Sequence, residues 1–331
     1  MATNNKFRLI SVLLIILFII NLALGLYFGS VKISVNEMLA ILQGQETENW
    51  RVFLQIRLPR VLGAVLVGIF LALSGVILQA TLHNPIADSG VLGISSGASL
   101  AAVVIMILYP HLSQLVVPMS FVGGLVTFGV IALLTYRSGL QPIHVILSGI
   151  AISAIWGGFQ AILLTAYSDR LTGVMNWLNG ALSNLIWEDV QSLFFLGMPF
   201  IILLLLLAPQ LNLILLGDDV MHNLGVPITF YRFVFSLLAV YYTAISVAYS
   251  GIIGFVGLIV PHIGRLLVGN NQKRLIPVSI LIGANLLLLA DTISRVIIAP
   301  QEIPVGTVMS LLGGPFFLYL LLRNSKHHFT R

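Results

Sequence analysis

Apolar runs separated by short polar segments recur along most of the chain. A run of about twenty apolar residues crosses the hydrocarbon core of a bilayer as one helix. The pattern predicts an all-α, polytopic membrane protein of about ten transmembrane helices, folded as a single transmembrane domain over residues 1–331. The predicted helices cover 9–28, 59–82, a stretch that opens at 93, 115–136, 144–167, 190–208, 228–249, 254–268, 277–298 and 305–322.

The first apolar run, from Leu9 to Phe28, follows the basic residues Lys6 and Arg8. A cleaved signal peptide is the alternative, because residues 23–25 (Ala-Leu-Gly) loosely resemble a cleavage site. The run is longer than the roughly 7 to 15 residues usual for the apolar region of a signal peptide. We therefore expect helix 1 to be retained, with its N-terminus in the cytoplasm.

Two polar segments interrupt the spans. Residues 168–189 contain Trp177 and Trp187, and predict a short interfacial helix with tryptophans at headgroup level. Residues 209–228 are too polar to span. Acidic residues favour a helix start at 218–219, and Gly225, which is followed two residues later by Pro227, favours the end of that helix. This segment predicts one or two short helices outside the bilayer, on the same side as both termini.

Composition supports a membrane protein and excludes some chemistry. Hydrophobic residues make up 58% of the chain and charged residues 8%, with a mean hydropathy of +1.05. Charged residues are about 25% of soluble domains. The chain has no cysteine, so disulfide, thiol and iron–sulfur chemistry are excluded.

The charges test the predicted topology. Segments on the predicted cytoplasmic side hold ten Lys and Arg residues against three Asp, whereas the opposite segments hold six against seven acidic residues. This asymmetry follows the positive-inside rule. The net charge of +5 therefore reflects orientation and indicates no nucleic-acid partner.

The stretch from Gly251 to Arg274 is unusual among the apolar runs. Glycines recur every three residues, and a proline–histidine pair then interrupts the run before a polar loop with Lys273 and Arg274. Glycines at this spacing lie near one helical face and let another backbone approach. Broken helices in lipid favour a transport pathway over a simple anchor. The candidate gating residues are Gly251, Gly254, Gly257, Pro261 and His262.

No enzyme site is evident. The sequence has no metal-ligand spacing, no paired acid and base on one helix and no Walker A motif. His83, His144 and His222 lie near predicted membrane boundaries, where capping is their ordinary role. Asp291 is the exception to a near absence of intramembrane charge, and it can pair with Arg295 at i, i+4. Scarce ionisable residues count against secondary transporters and ion channels.

Three arginines, Arg57, Arg60 and Arg295, lie at the predicted outer ends of helices 2 and 9. Exposed guanidiniums suit recognition of carboxylates on a partner, because their planar donors engage both oxygens. Anchoring to lipid headgroups is the alternative.

The motifs along the chain resemble the FecCD-type permeases, which are membrane subunits of ABC importers for ferric siderophores, haem and cobalamin. The N-terminal half matches in Arg57-Leu58-Pro59-Arg60, Ser74-Gly75, Gln79, Asn84-Pro85-Ile86-Ala87 and 93–98 (GISSGA). The C-terminal half matches in 254–262 (GFVGLIVPH), Arg265, Ala290-Asp291, Arg295, 302–306 (EIPVG) and 313–316 (GGPF). His83 and Ile86 stand where the family commonly has arginine and leucine.

The resemblance implies a multi-pass protein of the bacterial cell membrane that works with two cytoplasmic ATP-binding subunits, an extracytoplasmic substrate-binding protein and a second permease subunit, identical or paralogous. It implies that Arg57, Arg60 and Arg295 dock the binding protein, and that helices 5, 8 and 10 line the path. It implies no cofactor or bound metal and no enzymatic step in this chain. The implied ATPase-coupling residues are Leu216, Gly217, Asp218, Asp219, Val220, Met221, His222, Asn223, Leu224 and Gly225.

The cargo and the mode of transport stay open. Family frequency places a ferric siderophore first, haem second and cobalamin third. The main alternative is a stand-alone secondary transporter with inverted repeats, since the helices that begin at Arg57 and Arg232 each reach a Ser-Gly pair. A channel is a further alternative.

Overall fold

The computed structural model describes residues 2–29, 31–90 and 92–328, and all regular secondary structure in these ranges is helical. The α-helices in chain order are α1 Ala2–Tyr27, α2 Val35–Leu42, α3 Leu58–Thr81, α4 Ile94–Leu108, α5 Val116–Thr135, α6 Pro142–Ala166, α7 Leu171–Leu178, α8 Trp187–Leu206, α9 Ala208–Ile214, α10 Asp218–Asn223, α11 Ile228–Ser250, α12 Val256–Val268, α13 Gln272–Val296 and α14 Val305–His328. A π-helical turn at Val52–Arg57 leads into α3.

Seven helices in the described part are long and apolar enough to cross a membrane: α1, α3, α5, α6, α8, α11 and α13. The shorter apolar helices are Ile94–Leu108, Val256–Val268 and Val305–Tyr319. Each of the ten predicted helices corresponds to one of these elements. The predicted all-α, polytopic fold is confirmed.

Helix α3 is the centre of the bundle. It is apolar around its whole circumference, and nearly all of its residues are buried against α13, α11, α12 and α8. Helices that are hydrophobic on every side occupy such interior positions. Small residues allow the closest approach: a Cβ added to Gly75 would overlap the backbone of Gly257 at the start of α12.

The peripheral helices expose apolar side chains. Leu9 on α1, Leu133 on α5 and Ile162 on α6 are each more than 60% exposed. An apolar outer surface is the expected form of a helix that faces lipid or another membrane chain.

Two local predictions need correction. The predicted polar loop with Lys273 and Arg274 is wrong, because α13 begins at Gln272; the Asn271 side chain caps it by accepting from the Lys273 N–H at 3.1 Å. Helix α2 was not predicted. Its signal was the Ser34-x-x-Glu37 spacing, since Ser34 Oγ accepts from the Glu37 N–H at 3.2 Å.

Candidate functional site

Two ends of the bundle carry most of the predicted site residues. Helix α3 is 24 residues long and therefore spans about 36 Å at 1.5 Å per residue. The Asp291 end lies at the start of α3 and contains Arg60, Asp291 and Glu302. The α10 end lies beyond the last turn of α3, where His83 meets Ile214 of α9.

A buried ionic cluster joins three parts of the chain at the Asp291 end. Arg60 Nε donates to Asp291 Oδ1 at 2.8 Å, and Arg60 Nη1 donates to Glu302 Oε2 at 2.6 Å. The predicted i, i+4 pair of Asp291 and Arg295 is confirmed at 3.1 Å. The cluster holds α3, α13 and the segment before α14 together, beside a cavity of about 140 Å³ lined by Arg60 and Glu302.

Guanidinium N–H groups of Arg57 and Arg295 donate to carbonyls at the C-terminus of α1. Arg57 Nη1 donates to the carbonyls of Leu26 and Tyr27 at 2.8 and 3.1 Å, and Arg295 Nη1 donates to Gly25 at 3.0 Å. The last carbonyls of a helix have no partners within it, and cations near that end also complement the helix dipole. These two guanidiniums therefore cap α1.

The predicted exposure of the three arginines is wrong. Arg57, Arg60 and Arg295 are 4%, 6% and 2% exposed, because carbonyls and carboxylates of their own chain surround them. Their docking role stays a prediction, but its premise of guanidiniums projecting toward a partner does not hold.

The predicted glycine face of helix 8 is also wrong in part. Residues 251–255 are non-helical, and α12 begins only at Val256. Gly251 has a φ of +67°, which an L side chain rarely adopts, and a Cβ there would overlap the Trp177 carbonyl. Close backbone approach is thus observed at Gly251 and Gly257, whereas Gly254 faces open space.

Helix α12 runs through Pro261 without a break, contrary to the expected interruption. A proline has no N–H, so the carbonyl four residues earlier, that of Gly257, loses its helical partner. Gln79 Nε2 of α3 replaces that donor at 2.9 Å. Gln79 Oε1 accepts from Arg265 Nη2 in the last turn of α12. One amide therefore joins both ends of α12 to α3.

We expect Gln79→Met to destabilise the protein by about 2 kcal/mol, because it leaves the Gly257 carbonyl and an Arg265 donor without partners. In a Pro261→Ala background the restored N–H at 261 can reach Gly257, so the cost of Gln79→Met should fall by about 1 kcal/mol. Thermal unfolding of the four proteins in detergent measures the coupling. If the stability losses of the two substitutions were strictly additive, the Gln79 side chain would not be the replacement for the N–H that Pro261 lacks.

The loop between α3 and α4 brings Asp88 to the start of α12. The half-buried Asp88 carboxylate accepts from Ser89 and from the backbone of Phe255, the residue before α12. Burial raises the pKa of Asp88, and these hydrogen bonds only partly offset the rise. Phe255 has a φ of +69°, which is rare for a bulky residue and marks this helix start as strained.

His262 is half-buried on α12, and its ring contacts Phe316 of α14 edge-on, with 5.9 Å between the ring centroids. This places His262 between α12 and α14, two of the helices that the resemblance implies for the path.

The predicted coupling segment forms two short helices, α9 and α10, as expected for 209–228. Met221 is buried, whereas Leu216, Val220 and Leu224 are 55%, 43% and 59% exposed. Val220 and Leu224 are four positions apart and share one side of α10, whereas Leu216 lies in the turn before the helix. His222, Asn223 and Gly225 are exposed, Gly217 precedes α10 with a φ of +93°, and the Asp219 side chain lies outside the described part of the chain.

Polar contacts fix this segment to three membrane helices. Arg232 of α11, itself buried, donates to Asp218 at 2.6 Å. Asn212 Oδ1 accepts from the Gln272 N–H of α13 at 2.8 Å. His83 Nε2, just past α3, lies 2.8 Å from the Ile214 carbonyl. A displacement of α9 and α10 would therefore act on α3, α11 and α13 together.

In the described part of the chain, no group of three or more His, Cys, Asp or Glu side chains is arranged to hold a metal ion.

The sequence profile of the FecCD transport family matches residues 13–323. The chain belongs to the FecCD transport family. The predicted resemblance to FecCD-type ABC importer permeases is confirmed, and the chain is a multi-pass membrane protein of an ABC transporter assembly.

Two relatives show how far the likeness extends. The protein named "Probable heme-iron transport system permease protein IsdF" in Staphylococcus aureus strain MSSA476 is 36% identical over 327 residues, covering 99% of both chains. The protein of the same name in strain Newman has the same identity and coverage.

Two solved structures share the fold. One, described as an inward-facing conformation of a metal-chelate type ABC transporter, has a TM-score of 0.82 and 30% identity, covering 96% of this chain and 99% of that one. The other, PsaBC from Streptococcus pneumoniae in complex with Fab, has a TM-score of 0.60 and 20% identity, covering 85% and 94%. At that identity, the second supports the fold alone.

Sequence reasoning missed the roles of Gln79, Asp88 and Glu302. Each stands in or beside a motif that carried the resemblance, but their partners are far away in sequence: Gln79 bonds Gly257, and Glu302 bonds Arg60. A proline inside an apolar helix was the one usable signal, since it requires a replacement donor for the carbonyl four residues before it.

Proposed function

We propose that this chain is the membrane-spanning subunit of an ATP-driven ABC importer that carries an iron chelate into the cytoplasm, with haem as the first candidate. The end-to-end likeness to a permease named for heme-iron transport, at 36% identity over 99% of both chains, carries this proposal. Family frequency alone had placed a ferric siderophore before haem. The relative's name reverses that order.

ATP hydrolysis takes place on separate subunits that bind the α10 end. The exposed side chains of Leu216, Val220 and Leu224 offer them apolar contacts. Buried apolar anchors inside a polar rim are the usual basis of such interfaces. Because α9 and α10 are tied to α3, α11 and α13, movement of the ATPases reaches the membrane helices through them.

A second permease subunit packs against α6 and α14. Among the residues that the structure describes, none lies within 4 Å of a Cβ placed on Gly157 or Gly158 of α6 or on Gly314 of α14. Small residues on an outward face allow another membrane helix to approach closely. The path between the two subunits would then run along α6, α12 and α14.

The binding protein docks at the Asp291 end, which faces away from the ATPases. Arg57, Arg60 and Arg295 contribute by fixing α1, α3 and α13 in the arrangement that the binding protein contacts. Both termini are cytoplasmic in this orientation, in agreement with the charge asymmetry of the sequence.

Iron delivery tests the cargo. In cells lacking other iron importers, expression of this chain with its ATPase and binding protein should restore growth on haem as the iron source. Growth on a ferric hydroxamate but not on haem would overturn the haem assignment while keeping the permease. Growth on neither, with the complex assembled in the membrane, would contradict iron-chelate import.

A further inference from the structure

Arg265 carries a charge that no acidic side chain in the described part of the chain pairs with. It lies in the last turn of α12, is only partly exposed, and donates to the neutral amide of Gln79. None of the ion pairs among residues 2–29, 31–90 and 92–328 includes it. A partly buried cation without a counter-ion is unfavourable, and a bound anion would relieve that cost.

A cavity of about 260 Å³ lies beside Arg265 and brings three basic side chains together. Lys6 comes from α1, Arg265 from α12 and Arg274 from α13, and the lining residues that the structure describes include no Asp or Glu. The volume is several times that of a water molecule, about 30 Å³ in the liquid. Charge and size both suit a phosphate-sized anion.

The rest of the cavity is apolar and faces the periphery of the bundle. Phe7 and Leu266 complete its wall, and Leu266 is 61% exposed. Next to it, α1 exposes a continuous apolar surface that includes Leu9 and Leu13. A cationic pocket joined to an exposed apolar helix matches an amphipathic ligand better than a soluble anion. Basic pockets between membrane helices on the cytoplasmic side are typical sites for anionic lipid headgroups.

We propose that this cavity binds the phosphate of an anionic phospholipid, with Arg265 as the central cation and the acyl chains lying along α1. Gln79 links Arg265 to Gly257, so an occupied site would also stabilise the contact of α12 with α3. This assignment does not depend on the cargo of the importer.

Native mass spectrometry of the full-length protein, titrated with phosphatidylglycerol and with phosphatidylcholine, tests the site. The wild type should retain phosphatidylglycerol preferentially, and Arg265→Gln should lower its affinity for that lipid about tenfold, which is the loss of one charge-assisted contact. Lys6→Gln changes an exposed side chain outside the packed core and should lower the affinity in the same direction. Arg8→Gln is the matched control, because Arg8 is exposed on the same helix but does not line the cavity.

Equal retention of the two lipids by the wild type would overturn the proposal, as would an unchanged preference in both the Arg265→Gln and Lys6→Gln proteins. Inorganic phosphate serves as the second probe. If it stabilised the wild type against heat as strongly as phosphatidylglycerol, and this stabilisation was lost in Arg265→Gln, the site would be one for soluble anions and the lipid assignment would be wrong.

Discussion

Replacing Val220 and Leu224 with aspartate should abolish binding of the ATPase subunits and ATP-driven uptake, while membrane insertion stays normal. The Val220 and Leu224 side chains are 43% and 59% exposed and share one side of α10. A charge placed at the centre of an apolar interface costs about 2 kcal/mol or more, which is roughly a 30-fold loss of affinity for one position. Co-purification of the ATPase from membranes, followed by uptake in proteoliposomes, measures both effects.

His222→Asp is the matched control for this experiment. It adds one carboxylate, where the double variant adds two, to the same helix, but His222 lies about 200° around α10 from Val220, at 100° per residue. The control should retain more ATPase binding than the double variant, although His222 itself stands in the predicted coupling set. Normal ATPase binding by the double aspartate variant would remove α10 from the interface. These point substitutions are sharper than deletion of 217–225, because deletion also removes the Asp218–Arg232 ion pair and the buried Met221.

Asp291→Asn should destabilise the protein by about 3 to 5 kcal/mol, the cost of breaking a buried ion pair from one side. Asp291 is fully buried and faces Arg60 at 2.8 Å and Arg295 at 3.1 Å. Without its charge, two buried guanidiniums face one another with only Glu302 to compensate them. Thermal unfolding in detergent, together with the yield of folded protein, measures the loss.

Asp169→Asn provides the comparison. Asp169 pairs with Arg170 at 3.8 Å, but its side chain is 78% exposed. Exposed pairs contribute about 0 to 1 kcal/mol. Equal stability of the Asp291→Asn and Asp169→Asn proteins would contradict a structural role for the cluster at the Asp291 end.

Much of the fold could be predicted from local patterns. Apolar runs placed the spanning helices, and the Asp218 and Gly225 signals placed α10 between them. Such signals depend only on residues that are close together in the chain, so they can be read from a single sequence. The end-to-end motif series then identified the family, which local chemistry alone could not do.

The environment of the charged side chains could not be predicted in this way. The position of Arg60 near the start of a helix does not reveal whether its side chain is exposed. That depends on its partners Asp291 and Glu302, which are more than 200 residues away in the sequence. The predicted ends of helices 7 and 8 put the break between α11 and α12 at 250–253, close to the non-helical residues 251–255. The interruption expected at Pro261 does not occur, because Gln79 satisfies the carbonyl that Pro261 leaves free. Both outcomes depend on tertiary partners.

The central claim is that this chain is a passive gate powered by separate ATP-hydrolysing subunits. Its most direct test is haem uptake into proteoliposomes containing the chain, its ATPase and its binding protein, with and without an ATPase substitution that permits nucleotide binding but blocks hydrolysis. We predict accumulation against a gradient only where hydrolysis proceeds. Accumulation that continues with hydrolysis blocked, driven by an ion gradient across the same vesicles, would contradict the account.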